Sequence, residues 1–266
     1  MTAELEELRK ELGFRLGING PHAARTMMLE ELRVLLENTS PHATRVEYAA
    51  AVMDANVLGK STRKARELTL RHLGTLYGLD NANPIFRALC RLWPLNEAAQ
   101  PMIALAVALA RDPLLRATQE FILGKPIGGT VPRESLERFL GQACPDRFSP
   151  ASLKSIAQNV AGTWTAAGIL AGHRNKARSQ PRACPESLTL LLFLGYLCGR
   201  TGQRLFSSGW TELLGVSPDE LEALANSASH RGLLVFMNAG GVKEVRFPGY
   251  LTPEEERILL EVSHVV

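Results

Sequence analysis

Ser217-Pro218-Asp219-Glu220, near the end of the chain, is a helix start. It has a serine cap, a proline in the first turn, and acids where the helix dipole favours them. The helix expected from it runs through Leu221, Leu224, Ala225 and Ala228 to Arg231, and Gly232 ends it. Leu233-Leu234-Val235-Phe236-Met237 then reads as a strand. Asn238-Ala239-Gly240-Gly241 is turn chemistry, and Val242-Lys243-Glu244-Val245-Arg246-Phe247 alternates as a return strand. Two shorter helical segments precede this unit. The order is that of a winged helix, a fold common among nucleic-acid binders, although fold alone does not give function.

Helical periodicity dominates outward from this unit. Helices are expected at about 22–37, 45–54, 62–77, 83–92, 97–110, 112–123, 132–142, 150–170, 185–200 and 208–214, with 217–231 as above. Met1 leads into an acidic helix over Glu4–Glu11, and Thr252-Pro253-Glu254-Glu255 opens a last acidic helix. Gly124-Lys125-Pro126-Ile127-Gly128-Gly129-Thr130 is the strongest interior break. The expected fold is therefore mainly α, in two helical domains. One covers 1–125 with the basic helix at 62–77. The other covers 131–266, with winged-helix character at 185–247.

The 266 residues are enough for a sizeable core. Hydrophobic residues make up 45% and charged residues 21%, a globular composition, with a formal net charge of +3. That charge permits nucleic-acid binding without arguing for it, so its distribution must decide. Cys90, Cys144, Cys184 and Cys198 form no C-x-x-C pair and read as reduced thiols. No leader pattern is visible, and the most apolar run, Leu188–Cys198, is far below the ~20 residues of a membrane span. A soluble, cytoplasmic protein is expected, with no membrane partner.

Two basic clusters stand out. The helix beginning near Ser61, with Ser61 read as its cap, carries Arg63, Lys64 and Arg66 in its first turns and Arg71 beyond. Ala65, Leu68, His72, Leu73 and Leu76 form its apolar stripe. Cations at a helix start oppose the dipole, at a few tenths to ~1 kcal/mol each, and an anion there reverses the cost. The competing reading is a solvated face with Glu67 paired to Arg71 at i,i+4. The second cluster, His173-Arg174-Asn175-Lys176-Ala177-Arg178-Ser179-Gln180-Pro181-Arg182, holds four fixed positive charges and no acid. It can track a phosphate backbone, or serve as a solvated linker. In the hairpin, Lys243 and Arg246 differ by three and point to opposite faces. The 217–231 helix begins with Asp219, Glu220 and Glu222, which would face phosphates, so a packing role suits it better than base reading.

Enzyme signals are weak. The six histidines are dispersed and none has metal-ligand spacing. The 124–130 loop lacks the G-x-x-x-x-G-K-[ST] order, and no G-x-S-x-G occurs. Neither a cofactor nor a small-molecule substrate is called for.

Asn56-Val57-Leu58-Gly59-Lys60-Ser61-Thr62-Arg63-Lys64-Ala65-Arg66-Glu67-Leu68 resembles a recurring segment of the BrxA family, small components of BREX bacteriophage-exclusion systems. The likeness continues into Ile103–Ala110 and Leu114–Leu123. It extends through Ala167-Gly168-Ile169-Leu170, the basic linker, Arg231-Gly232-Leu233-Leu234 and Ala239-Gly240. It implies a soluble, mostly helical protein with helix-turn-helix or winged-helix character. It also implies double-stranded DNA binding within a multi-protein defence system, without catalytic activity. The family's basic segment carries over onto Ser61, Thr62, Arg63, Lys64 and Arg66. The linker carries over as charge, onto Arg174, Lys176, Arg178 and Arg182. The acidic first helix and the 252–266 tail depart from the family pattern. The expected function is a DNA-binding accessory protein of phage defence, with other defence proteins as partners. The alternatives are a protein-interaction adaptor within that complex, or a winged-helix transcription regulator.

Overall fold

The computed structural model describes residues 3–265; Met1, Thr2 and Val266, the outermost residues of the two expected units, lie outside it. The described chain is mainly helical, with short antiparallel β segments. The first half runs α1 (Ala3–Glu11), α2 (Leu29–Glu37), α3 (Arg45–Met53), α4 (Arg63–Tyr77), α5 (Pro84–Leu92), α6 (Gln100–Arg111), α7 (Pro113–Arg116) and α8 (Gln119–Leu123). Then follow α9 (Arg133–Ala143), α10 (Pro150–Ala166), β1 (Leu170–Ala171) and β2 (Ala177–Arg178). The last part is α11 (Pro185–Leu197), α12 (Gln203–Phe206), α13 (Pro218–His230), β3 (Val235–Ala239), β4 (Val242–Arg246) and α14 (Pro253–Val265).

Capping residues explain most helix starts. Thr44 and Glu47 form a capping box on α3, and Ser217, the cap expected on α13, forms another with Glu220. Asn83 and Asp112 cap α5 and α7 through their side-chain oxygens. The 217–247 unit forms as a helix and hairpin, with Val235 opposite Arg246 and Ala239 opposite Val242. Gly240 (φ 59°) and Gly241 (φ 84°) supply the two left-handed positions of its tight turn.

Four helices differ from expectation, the one over 112–123 by splitting at Ala117-Thr118 into α7 and α8. The helix expected over 22–37 begins only at Leu29, because Met28 sits in the left-handed region (φ 54°) and 21–23 is a single 3-10 turn. The 150–170 helix stops at Ala166, where Gly168 turns the chain (φ 78°) and 169–171 becomes extended. The 208–214 segment is a 3-10 turn over Thr211–Leu214.

α6 is the centre of the molecule. Every residue from Met102 to Arg111 is buried, and α4, α5, α10 and α11 pack around it. α11 is almost wholly buried as well, against α5, α6 and α13. Elements on both sides of the 124–130 break therefore share one hydrophobic core. Buried polar ties also cross that break. Glu186 of α11, fully buried, takes Arg231 at 2.5 Å and Asn96 at 3.0 Å. Arg87 of α5 pairs with Glu255 of α14. Among the described residues no single helix is long and apolar enough to cross a membrane.

Candidate nucleic-acid interface

The start of α4 is capped by Thr62, whose Oγ1 accepts from Ala65 N at 3.1 Å, rather than by Ser61. The preceding turn is held by Asn56, whose side chain bonds both Lys60 N (2.9 Å) and Lys60 O (3.1 Å). Ser61, Thr62, Arg63, Lys64 and Arg71 are all exposed. Glu67 pairs with Arg63 at 3.1 Å instead of with Arg71, in the open, where such a pair is weak. Arg66 differs from the rest: it is half-buried and donates to Met53 O at 2.6 Å, tying α4 to the end of α3. Its role is to hold the turn.

The second cluster forms the tip of the β1–β2 hairpin. Leu170 pairs with Arg178 and Ala171 with Ala177. The segment 128–131 runs along the other side of β2, joined by one isolated bridge, Thr130 opposite Ala177. Its bonds are Gly128 N to Arg178 O (2.9 Å), Arg178 N to Gly129 O (2.9 Å) and Val131 N to Lys176 O (2.8 Å). Gly172 (φ 98°) opens the loop, and Lys176 Nζ donates back to Gly172 O at 2.6 Å. His173, Arg174 and Asn175 are exposed at the tip, and Arg182 is exposed further along. Arg178 does not belong with them. Its side chain is buried and donates to Ile169 O (2.8 Å) and Ser179 O (3.3 Å). Burial lowers its pKa from the ordinary arginine value. It braces the hairpin and is removed from the set of phosphate contacts.

A cleft of about 770 Å³ separates this loop from α10. Its walls are Arg174 and Lys176 on one side, Gln158 and Gly162 of α10 on another, and Thr130 and Arg133 below. Its one acid is Glu134. The exposed face of α10 itself carries no acid, and no aspartate or glutamate occurs anywhere between Asp146 and Glu186. That acid-free run is the signal in the sequence that marks α10 as part of the surface.

The two basic clusters, a hundred residues apart in sequence, are linked through the segment 24–28. The methyl of Thr26 lies against Gly162 of α10, where an added Cβ would meet it at 3.4 Å. On the other side, Arg25 lies within electrostatic reach of His72 of α4, as Arg71 does. His72 has its pKa lowered first by burial and then by the charges of Arg71 and Arg25. Arg25, itself exposed, was missed by sequence reading because it stands alone between alanine and threonine.

The last hairpin contributes less than its sequence suggests. Lys243 is only 7% exposed in its side chain, meets Glu222 of α13 at 2.5 Å and lies 4.8 Å over the Phe206 ring. Asn238 also donates to Glu222, at 2.8 Å. The Lys243 and Asn238 bonds lower the Glu222 pKa. Arg246 points to the opposite face, 65% exposed, and is paired with Glu244 at 2.5 Å. Lys243 is buried and paired within the hairpin unit and withdraws from the candidate contacts, whereas the Arg246 pair stands in the open, where such a pair is weak.

A third constellation is invisible to spacing rules. His22 Nδ1 meets Asp112 Oδ2 at 2.7 Å and His22 Nε2 meets Thr163 Oγ1 at 2.8 Å. The order hydroxyl, imidazole, carboxylate is that of a nucleophilic triad. Here all three side chains are sealed from solvent, and Thr163 Oγ1 also accepts from Met27 N at 2.9 Å. The set clamps the 21–28 segment between α7 and α10, and offers no nucleophile to a substrate. Among the described residues no group of three or more His, Cys, Asp or Glu could hold a metal ion. No family model matches the chain, and no curated protein matches it.

Proposed function

We propose that this chain is a non-catalytic accessory protein that binds double-stranded DNA, chiefly through backbone phosphates, within a bacterial phage-defence system. The observation that carries the reading is the linkage of the two basic clusters through Arg25. Arg71 and Arg25 both act electrostatically on His72 of α4, Thr26 beside Arg25 lies against Gly162 of the acid-free α10, and Arg174 and Lys176 of the hairpin loop line the same cleft as α10. Cations grouped about an acid-free helix neutralise phosphates and release counterions. The likeness of 56–68 to the BrxA family supports the defence setting.

The winged-helix reading also moves. The order α8, bridged segment 128–131, α9, α10, β1, loop 172–176, β2 supports a winged-helix reading at this place instead, with the basic loop as wing. The C-terminal unit α11 to β4 repeats the order in part, with Lys243 of its hairpin neutralised.

The test is a titration of the full chain on duplex DNA over a salt series. The Lys64→Ala/Arg71→Ala and Arg174→Ala/Lys176→Ala pairs should each weaken binding and flatten the log–log salt slope by about 0.9 per lost phosphate. Unchanged affinity and slope in both would overturn the proposal.

An adaptor is the second reading. One face of the last hairpin exposes Val235, Met237 and Val242, the last at 74%, on the side away from its packing against α13. Retention of defence-complex partners by the chain, with their loss on Val242→Asp, would favour it.

A further inference from the structure

Resting on the DNA-binding reading, we infer that α10 is a base-reading helix, so that binding is sequence-selective, with Gln158 at the centre of the reading face and α13 excluded from that role. α10 has 17 residues, about 25 Å at 1.5 Å per residue, and a helix of that girth fits the ~12 Å major groove. It occupies the place in the helix and strand order from which a winged helix enters the groove, directly before the hairpin with the basic loop.

Its two faces divide sharply. Ile156, Ala157, Val160 and Trp164 are buried, and the back is locked by Trp164 Nε1 to Thr118 Oγ1 (3.0 Å), Asn159 to His22 O (3.2 Å) and the His22–Thr163 bond. A recognition surface fixed in this way loses little entropy on binding. At the front, helical spacing sets Lys154, Ser155 and Gln158, all exposed, on one side with the partly buried Ala161 and Gly162. These chains are short apart from Lys154 and Gln158, which lets the helix axis approach base edges closely. Gln158 also lines the cleft facing Arg174 and Lys176, so the loop and the helix address the same object. A glutamine amide matches adenine N6 and N7 in a bidentate pair, and a lysine beside it suits phosphate. α13 fails on the same criteria: Asp219 and Glu220 stand exposed at its front and Glu222 is engaged with Lys243.

The experiment is selection of duplexes from a random library by the full-length chain, followed by titration of the selected duplex against a scrambled one. We expect a selected sequence containing adenine. Gln158→Ala should lower the preference for the selected over the scrambled duplex roughly 5- to 150-fold, the discrimination of one bidentate pair. Gln158→Glu should move the preferred base towards cytosine, whose N4 amine a carboxylate accepts. Both are exposed-site changes that keep the fold, checked by an unchanged melting curve. Salt-dependent duplex binding with no selected sequence, or with a preference that Gln158→Ala and Gln158→Glu both leave intact, overturns the inference and leaves the backbone-binding proposal standing. No duplex binding at low salt overturns both.

Discussion

His22 and Asp112, ninety positions apart, are joined by a 2.7 Å bond between Nδ1 and a carboxylate oxygen in a site with no solvent access. Asp112 also accepts from His22 N (2.9 Å), Leu114 N (2.9 Å) and Leu115 N (3.1 Å), so it caps α7 while holding the 21–28 segment. That segment carries Arg25 and Thr26, the link between α4 and α10. The clamp thus sets the geometry of the proposed DNA surface without touching it.

Breaking the clamp should be costly. His22→Ala leaves a buried carboxylate short of a partner and should reduce unfolding free energy by about 3–5 kcal/mol. Urea denaturation checks this, as a lower midpoint at unchanged m-value. A loss under ~1 kcal/mol would mean the network is not closed in solution.

The same carboxylate predicts an acid limb. Burial pushes the Asp112 pKa up, but the hydrogen bonds and charge of His22 and the Leu115 amide outweigh it and hold it below the ordinary value. A depressed carboxyl contributes its stability fully above its unfolded pKa, and loses it as pH falls through the lower folded value. Stability should therefore decline from about pH 4 downward. Asp112→Asn, less stable at neutral pH, should show a shallower decline there, followed by denaturation at stepped pH.

Neighbouring arginines of one loop should separate by role. Arg178→Ala removes the two carbonyl contacts of a buried guanidinium and should lower stability by about 1–3 kcal/mol. Arg174→Ala, at an exposed tip, should leave the melting temperature within experimental error and weaken duplex binding. A reversed pattern would show that the hairpin sits differently in solution.

Gly172 tests the shape of the loop independently of its charge. Its φ of 98° is a left-handed position, and an added Cβ would fall 2.2 Å from Asn175 O. Gly172→Ala should distort the loop and weaken duplex binding several-fold with every cation still present. Affinity equal to that of the unaltered chain would show that loop geometry is irrelevant to binding.

Lys243→Ala should leave duplex affinity and salt slope unchanged, since Glu222 already neutralises this buried cation. A fall in slope on titration would return the last hairpin to the interface.

Much of the helical framework was legible in the sequence. The signals were local: the Ser217–Glu220 box, the prolines opening α5, α6, α10 and α11, the apolar run that became α11, and Gly240-Gly241. The β1–β2 sheet was not legible. Strands of two residues are too short to show a period of two, and 128–131, which bonds to β2, reads as a plain glycine loop. Met28 in a left-handed conformation also carries no sequence signature, so the 22–37 helix was read too long.

The amino-acid sequence by itself determined a mainly helical chain, a hairpin within about 233–247, and where basic residues concentrate. These follow from caps, turns and periodicity, which act over a few residues. Only the tertiary structure decided which cations are available and which surface they share. Arg178 and Arg66 look like Arg174 and Arg63 in sequence. Burial against backbone carbonyls converts the first two into braces and leaves the others facing water. Lys243 is withdrawn by Glu222, and Arg25 is placed between the two clusters by a clamp whose residues lie 90 and 141 positions apart. Charge is a local property of the chain. Its availability to a ligand depends on desolvation and pairing, which long-range packing alone sets.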